Sequence, residues 1–437
     1  MHKEIIVTAD DFGLTRGVTD TILDCVDNGA LTRVSVLPNG LAVDYALREW
    51  QKRSEKISLS IHLNLTEGKA LLPAQDLPHL VDQEGNFLRS PFSLFVKTLI
   101  SLPSDRSALL KEIRNELTAQ IECIKGRVGN HVPLSVDGHQ HVQMIPLVFS
   151  AILSLQGRYN FKSVRLPHEP LFFDKTSWRR YFGFGMFRHI VLNFFYRLAK
   201  VRSSKNGTPH PDFFIGTLMS GSMNTSSVKS ALGEVYREKG SSVEIGFHPG
   251  GALPGEVSSW KGDTIWHYSP WREYERTVLK SKELKEVFQS FLEERLPSSG
   301  SHVSQICRFI VAGSLATATN LGVLYLFTEF LGFWYIFSAI VAFLTATIFG
   351  FIFQKFWVFS HHSLKSLRRE ILFFLANNIL GLIFTMAGLY VLVEYAGFWY
   401  MAGQVVVLFF VAVWNFFIYN STIFKKEKLV SWANDIS

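Results

Sequence analysis

The distribution of apolar residues divides the chain into two parts with different patterns. Up to about residue 297, short apolar runs alternate with longer segments of helical spacing. From Ile306 to Phe424 the sequence consists mainly of long apolar runs with aromatic residues at their ends. Strands that alternate with helices pair in parallel, and apolar runs of roughly 20 residues can span a bilayer. The pattern therefore predicts an α/β domain followed by a membrane domain.

Polar side chains follow the predicted strands of the first part at their carboxyl ends. The first strand runs from Ile5 into Asp10 and Asp11, and Gly13 ends it. Later predicted strands lie at 34–37, 57–61, 134–136, 163–166 and 243–247. Polar residues at or just after their ends include His62, His139, His141, Arg165 and His248. In a (β/α) barrel the active site is built at this end of the strands. We therefore expect a barrel-like (β/α) fold in which these side chains converge.

Asp10 and Asp11 can reach one site from different sides, because the chain bends where the strand stops. One carboxylate can bind a cation while the other accepts a proton. The alternative is a helix N-cap with a solvated neighbour, since Asp caps helices well. An Asp/His/His set suits a divalent cation with open positions. Such an ion, with a separate carboxylate and a separate histidine, can hydrolyse an amide.

Four ordered motifs resemble those of the YdjC/ChbG-like carbohydrate deacetylases over roughly residues 3–290. They are Thr8-Ala9-Asp10-Asp11-Phe12-Gly13, His62-Leu63-Asn64-Leu65-Thr66, Asp137-Gly138-His139-Gln140-His141 and His248-Pro249-Gly250. The resemblance implies a barrel-like (β/α) fold and metal-dependent removal of N-acetyl groups from amino sugars.

The same resemblance, carried over motif by motif, implies the catalytic roles. Asp11, His62 and His139 would hold one divalent metal ion, with zinc favoured and magnesium as the alternative. Asp10 would be the catalytic base, and His248 would be the acid that protonates the leaving amine.

A second group of residues is expected to bind the substrate. Its members are His141, Arg165, Arg179, Arg180 and Arg188. For His141 the alternative is a position behind the metal ligands, and for Arg165 it is a structural ion pair. The three later arginines lie in residues 175–205, where basic residues alternate with large aromatic ones and no acidic residue occurs. Such a segment suits anionic headgroups, and the alternative is an ordinary helix whose arginine stems cover apolar surface.

The apolar part repeats itself at an offset of 65 residues. Glu329-Phe330-Leu331-Gly332-Phe333-Trp334-Tyr335 matches Glu394-Tyr395-Ala396-Gly397-Phe398-Trp399-Tyr400. We predict four transmembrane helices, arranged as two repeated hairpins, at about 306–328, 334–359, 370–393 and 399–424. Asn320, Gln354, Asn377, Asn378 and Asn415 lie within or near these spans. Such residues either face a functional site or join helices.

The membrane part resembles the GtrA-like family of small four-span proteins over about residues 304–426. The matching residues are Arg308-Phe309 with Gly313, and Lys355-Phe356-Trp357-Val358-Phe359. The resemblance implies a link to polyprenyl-phosphate sugars in cell-surface glycan assembly.

Charge and composition set the expected location. The chain of 437 residues has a net charge of +7, and its three cysteines are scattered, which fits a reducing compartment. Basic residues from Lys355 to Arg369 and from Lys425 to Lys428 predict a cytoplasmic face by the positive-inside rule. The start of the chain does not resemble a signal peptide. We expect a multi-pass protein of a bacterial-type inner membrane, with the catalytic domain and both termini in the cytoplasm.

The sequence thus predicts a deacetylase domain at 1–297, a linker at 298–303, a transmembrane domain at 304–426 and a cytoplasmic tail at 427–437. We expect a membrane-bound, metal-dependent N-deacetylase for a polyprenyl-phosphate-linked amino sugar, with its active site approached from the membrane side. The alternative is a lipid-linked sugar flippase or scaffold with an accessory deacetylase domain. Expected partners are the lipid-linked substrate and membrane lipids, with a polyprenyl-phosphate glycosyltransferase and a second copy of the chain as further candidates. Nucleic acid is not expected, because no recognition motif accompanies the positive charge.

Overall fold

The computed structural model describes residues 3–424 except 183, 206, 239, 263, 296–300, 360–366 and 396–399. Contacts divide the chain into two compact units, Met1–Ser299 and Gly300–Ser437. Part of the predicted linker at 298–303 and the whole predicted tail at 427–437 lie outside the described residues.

The first unit is built on a parallel sheet. Its strands are β1 (Glu4–Phe12), β2 (Arg33–Val36), β3 (Ser58–Leu63), β4 (Ser135–Gly138), β5 (Phe213–Ile215) and β6 (Ser242–Phe247). They lie in the order β4-β3-β2-β1-β6-β5, and each of these pairings is parallel. Because β1 is central and buried from Val7 onward, its carboxyl end lies in the middle of the sheet.

One irregular segment, residues 162–168, joins the two edge strands. Val164 forms a single parallel bridge with Val136 of β4, and its N–H donates to the carbonyl oxygen of Pro209 at 2.9 Å. The carbonyl oxygen of His168 accepts from Phe214 N of β5 at 2.8 Å. The predicted strand at 163–166 therefore occupies a strand position but pairs through one bridge. The curled sheet confirms the predicted barrel-like α/β fold.

Helices connect the strands and cover the sheet. They are α1 (Arg16–Asn28), α2 (Val43–Gln51), α3 (Pro91–Ile100), α4 (Pro103–Val128), α5 (Pro146–Tyr159), α6 (Phe184–Lys205), α7 (Thr225–Arg237), α8 (Thr264–His267), α9 (Pro270–Lys280) and α10 (Lys282–Leu292). Short 3₁₀ segments cover Ala74–Asp76, His139–Met144 and Lys175–Phe182. Side-chain caps start several helices; Thr15, for example, accepts from Val18 N before α1, which satisfies one free N–H of the first turn.

The described part of the second unit contains four long helices. They are α11 (Ser301–Tyr325), α12 (Tyr335–Phe353), α13 (Leu367–Tyr390) and α14 (Tyr400–Ile418), and each continues into a five-residue π-helical turn, at 326–330, 354–358, 391–395 and 419–423. The turns recur at the 65-residue offset of the sequence repeat. By length and composition, one described helix, Arg308–Phe330, could cross a membrane, and Ile340–Phe353 and Phe409–Ile418 are shorter apolar helices.

Amide side chains join α13 to α14. Asn377 Nδ2 donates to Asn415 Oδ1 at 2.6 Å, and Trp414 Nε1 donates to Asn377 Oδ1 at 3.0 Å. Tyr419 donates to Asn378 Oδ1 at 3.2 Å. For Asn377, Asn378 and Asn415 these contacts favour the helix-joining role over a polar path through the unit.

Lys355 is one of the basic residues from which the sequence analysis predicted a cytoplasmic face. Its side chain is fully buried and donates to the buried carboxylate of Glu370. The pair links the π-helical turn after α12 to the first turn of α13. Because an ion in an apolar interior needs a partner, this pair ties the two repeated hairpins together.

Candidate active site

The candidate site begins at the irregular end of β1. Asp10 and Asp11 are buried, and Asp11 has a φ angle of 64°, which is uncommon for a residue other than Gly. The register of β1 against β2 shifts between Ala9 and Phe12. Because the strand bends here, two adjacent carboxylates reach the same group of residues instead of opposite faces of the sheet.

Asp11, His62 and His139 lie together. Asp11 Oδ1 is 3.2 Å from His139 Nδ1 and 3.6 Å from His62 Nε2, and these two nitrogens are 3.3 Å apart. All three side chains are buried, and Asp11 Oδ1 accepts no hydrogen bond of good geometry from the described residues. One carboxylate oxygen and two imidazole nitrogens that converge in this way fit a divalent cation.

Asp137 orients His62. Its Oδ1 is 2.5 Å from His62 Nδ1, so that Nε2 is left on the side of Asp11. Hydroxyl groups of Ser35 and Ser60 donate to the same carboxylate at 2.7 and 2.6 Å. A carboxylate behind a metal-binding histidine fixes its tautomer and ring orientation. The sequence analysis gave Asp137 no role, although His62 and Asp137 are register partners on β3 and β4.

Glu67 has the corresponding position behind His139. Its Oε2 is 3.4 Å from His139 Nε2 and 3.1 Å from His267 Nε2, and it accepts from Trp260 Nε1 at 3.1 Å. The sequence analysis missed Glu67, because it lies in a loop after the strand that carries His62.

The surrounding carboxylates control the charge of the two imidazoles. Burial disfavours the protonated form of His62, but the neighbouring aspartates outweigh it and raise the pKa of His62 to about 9. Asp11 and Glu67 likewise overcome burial and raise the pKa of His139 to about 10. Both imidazoles therefore hold protons at neutral pH when no cation is bound, and a cation would take the place of those protons.

Arg165 lies in a buried ion-pair network, and its contact with the substrate stays a prediction. Its guanidinium is buried and donates to both oxygens of Asp10 at 2.7 and 2.9 Å. It also donates to Glu244 Oε1 at 2.9 and 2.7 Å. The alternative, a structural ion pair, is what the structure contains. The bidentate pair fixes the carboxylate of Asp10, so a metal set formed by Asp10, His62 and Asp137 fits less well, although these residues also lie close together.

Arg272 holds the other oxygen of Asp11. Its NH1 donates to Asp11 Oδ2 at 2.8 Å, and its Nε donates to the carbonyl oxygen of Gly250 at 2.6 Å. The side chain is fully buried. Sequence analysis missed Arg272, because it lies on α9 and no strand-end pattern precedes it.

His248 follows β6 and lies beside Asp10. Its Nε2 is 3.9 Å from Asp10 Oδ2, and its backbone N–H donates to Glu275 Oε2 at 2.6 Å. The ring packs edge-on against Trp266 with 5.7 Å between centroids. Burial lowers the pKa of His248 to about 4, although Asp10 and Asp11 oppose the shift. His248 is therefore neutral at neutral pH, and it must gain a proton before it can act as an acid.

His141 and Arg188 are also directed inward. His141 has a φ angle of 59°, packs against Phe214 at 5.6 Å, and has a buried Nδ1 without a hydrogen-bond partner among the described residues. Burial holds its pKa well below the usual range. Arg188 NH2 donates to the carbonyl oxygen of Thr217 at 2.6 Å. This contact makes Arg188 a poor candidate for headgroup binding, whereas a role toward substrate stays a prediction for both residues.

Arg180 lines a cavity to which none of the proposed metal ligands contributes. Its guanidinium is 5.5 Å from the ring of Trp271, and both residues line this cavity of about 760 Å³, which Tyr274, Asn224 and several hydroxyl groups also line. Arg179 belongs to the adjacent 3₁₀ segment, and its side chain lies outside the described residues.

Known proteins resemble the first unit in sequence. A stretch of 169 residues is 33% identical to a human carbohydrate deacetylase and covers 38% of this chain and 50% of that protein. The carbohydrate deacetylase of Geobacillus stearothermophilus is 33% identical over 171 residues, or 39% of this chain and 61% of that protein. The chitooligosaccharide deacetylase of Escherichia fergusonii is 29% identical over 174 residues, or 40% and 63%. The chain thus spans between half and just under two thirds of the length of these relatives.

A solved structure has the same fold. It belongs to a proposed cellobiose-phosphate cleavage protein of Enterococcus faecalis and matches 67% of this chain and 96% of its own, with a TM-score of 0.50 and 22% identity. Residues 308–424 match the GtrA/DPMS transmembrane domain, so the chain carries a membrane domain. Residues 4–290, more than half of the chain, match the YdjC-like proteins, and the chain therefore belongs to the YdjC-like protein family.

Proposed function

We propose that this protein is a membrane-bound, metal-dependent carbohydrate deacetylase that removes an N-acetyl group from an amino sugar carried by a polyprenyl phosphate. The observation that carries the proposal is the buried oxygen Asp11 Oδ1, which faces two imidazole nitrogens and accepts no hydrogen bond of good geometry. Three relatives named as deacetylases and the GtrA/DPMS match support the substrate class and the membrane location.

Each residue around this oxygen has a separate role in amide hydrolysis. A cation held by Asp11, His62 and His139 would polarise the acetyl carbonyl and increase the acidity of a water molecule. Asp10, which Arg165 fixes in place, accepts a proton from the attacking water.

Bond cleavage then requires a proton on the leaving amine. His248 delivers this proton as the carbon–nitrogen bond breaks. Because the imidazole is neutral at neutral pH, it first takes up a proton, and the carboxylate of Asp10 at 3.9 Å is placed to supply it. Acetate and the free amine are the products.

The test uses the purified full chain in detergent with zinc or magnesium. N-acetylated sugars linked to a polyprenyl phosphate and a soluble chitooligosaccharide are incubated in parallel, and products are analysed by mass spectrometry. We expect the lipid-linked sugar to lose one acetyl group, and we expect Asp11→Ala to abolish this loss. A soluble substrate that reacts while every lipid-linked sugar stays intact would contradict the lipid carrier. No acetate from any substrate would contradict the deacetylase.

We further propose that α11 to α14 all cross the membrane, with the first unit on the cytoplasmic side. The GtrA/DPMS match and the length of the apolar helices support this arrangement. Reaction of cysteines introduced at Glu55 and at Leu331 with an impermeant reagent tests it in intact cells and in inverted membrane vesicles. Glu55→Cys should react only in inverted vesicles and Leu331→Cys only in cells, and the opposite result would reverse the orientation.

A further inference from the structure

Two helices of the first unit expose an unusual number of large apolar side chains. On α3 and α6 these side chains are between 48% and 74% exposed. They are Phe92, Leu99, Ile100, Phe187, Phe194, Leu198 and Val201, and we call them the α3–α6 face. A helix on the surface of a soluble domain normally turns its polar side to water, and a large exposed apolar patch marks an interaction site.

The two helices contribute to one continuous surface. The rings of Phe95 on α3 and Phe195 on α6 pack edge-on with centroids 5.2 Å apart. On α6, residues 187, 194, 198 and 201 are spaced by seven, four and three positions, which places them on one stripe of the helix. On α3, residues 92 and 99 share a stripe for the same reason. The aromatic contact therefore brings the two apolar stripes together at one point.

The two segments that form this face carry charge of one sign. Residues 85–104 and 175–211 contain no acidic residue, and α6 alone carries five basic residues. Arg197, Lys200 and Arg202 are exposed and lie close in sequence to the apolar stripe of α6. Apolar side chains flanked by arginine and lysine are the composition of helices that lie in the headgroup layer of a membrane.

We propose that the α3–α6 face rests in the headgroup layer of the bilayer, with its apolar side chains among the upper acyl chains and its basic residues on anionic lipids. A lipid surface is the favoured occupant because the chain carries its own membrane domain. Only eight residues separate the end of α10 at Leu292 from the start of α11 at Ser301, a distance of at most ~32 Å. The first unit therefore cannot diffuse away from the bilayer.

This inference rests on the membrane location in the proposed function, and it adds α3 to the segment that the sequence indicated. The sequence analysis considered residues 175–205 alone. The contact between Phe95 and Phe195 brings α3 into the same face, and α3 has the more exposed side chains.

The test places a polarity-sensitive fluorophore on the face of the full chain. Cys123 and Cys307 are replaced with serine, and Cys25 is kept because it is fully buried. One exposed cysteine is then introduced as Leu99→Cys or Phe194→Cys, and Arg48→Cys on α2 serves as the exposed control. The labelled chains are reconstituted into vesicles of phosphatidylcholine and phosphatidylglycerol that contain lipids with a nitroxide near the top of the acyl chain.

We expect blue-shifted emission and quenching by the nitroxide lipid at positions 99 and 194, and neither effect at position 48. Quenching of all three labels by an aqueous quencher, with none by the nitroxide lipid, would show that the face is in water and would overturn the proposal. Blue-shifted emission that neither quencher reaches would show that protein covers the face, either the second unit or a second copy, and would also overturn it.

A second comparison tests the charge. Exchange of Arg197, Lys200 and Arg202 for glutamine should weaken nitroxide quenching at position 99 in vesicles with phosphatidylglycerol and leave it unchanged in phosphatidylcholine alone. Exchange of Arg48, Lys52 and Lys56 for glutamine is the matched control and should have no effect. Neither readout uses deacetylase activity, so failure here leaves the proposed reaction standing, and an inactive enzyme can still pass this test.

Discussion

Replacement of Asp137 with asparagine tests how the site prepares His62 for a cation. The change keeps the shape of the side chain and removes the negative charge that lies 2.5 Å from His62 Nδ1. Loss of a carboxylate behind a metal-binding histidine typically weakens metal binding by about 10–100-fold. We expect a loss in this range for Asp137→Asn.

Proton competition makes this loss dependent on pH. His62 has a pKa of about 9 without metal. At pH 7, two pKa units lower, protonated His62 exceeds neutral His62 by about 100-fold, and metal binding is weakened by that factor. Asp137 is one of the aspartates that raise this pKa. Its replacement therefore also lowers the pKa of His62, and protons then compete less with the cation. The two effects oppose each other at pH 7, and only the loss of metal binding remains above pH 9. The measured loss should grow as the pH rises.

The assay is competition with a chromogenic zinc chelator, using the full chain in detergent at pH 7, 8 and 9. Ser35→Ala is the matched control, because it removes one hydroxyl bonded to Asp137 and keeps the charge. We expect the control to lose less than about tenfold at every pH. Equal zinc affinity of Asp137→Asn and the unchanged chain at pH 9 would refute the orienting role. A loss that shrinks with rising pH would refute the argument from proton competition.

Two further predictions concern the candidate site, and a third concerns the buried ion pair of the second unit. Zinc binding at pH 7 should release protons, because the pKa values of His62 and His139 are about 9 and 10 without metal. Calorimetry in buffers of different ionisation enthalpy measures the release. A binding enthalpy that does not depend on the buffer would contradict it. Asp10→Asn should bind zinc normally and lose about 10²–10⁴-fold in turnover, whereas a metal-free variant would place Asp10 among the ligands. Lys355→Met should destabilise the second unit by about 3–5 kcal/mol in detergent, and adding Glu370→Leu should recover most of the loss. Thermal unfolding measures both variants. A single variant that unfolds at the same temperature as the unchanged chain would contradict a stabilising role of the pair.

The sequence alone determined the two-part organisation and the positions of the proposed ligands. Long apolar runs and short strand patterns are local signals, because each depends on side chains a few positions apart. Asp11, His62 and His139 could be placed together since each lies at the end of a predicted strand, and the carboxyl ends of parallel strands meet at one edge of the sheet. The repeat in the second half could be seen by comparing the sequence with itself. The π-helical turns of the structure recur at the same offset.

Only the tertiary structure decided which charged groups surround those ligands. The sequence allowed two roles for Arg165. In the structure residues 162–168 lie between the edge strands, and this position lets Arg165 pair with Asp10 and Glu244. Arg272 reaches Asp11 across 261 positions of sequence, and Glu67 reaches His139 from a loop. Such partners depend on register, barrel closure and helix placement, which no local pattern encodes.

The same limit explains the exposed face of the first unit. The composition of α6 was readable as basic and aromatic, but the stripe of α3 was not connected to it in the sequence. Phe95 and Phe195 are one hundred positions apart and meet at 5.2 Å in the fold. Hydrophobic periodicity determines that a helix has an apolar side, and the packing of the whole domain determines whether that side is buried or left at the surface.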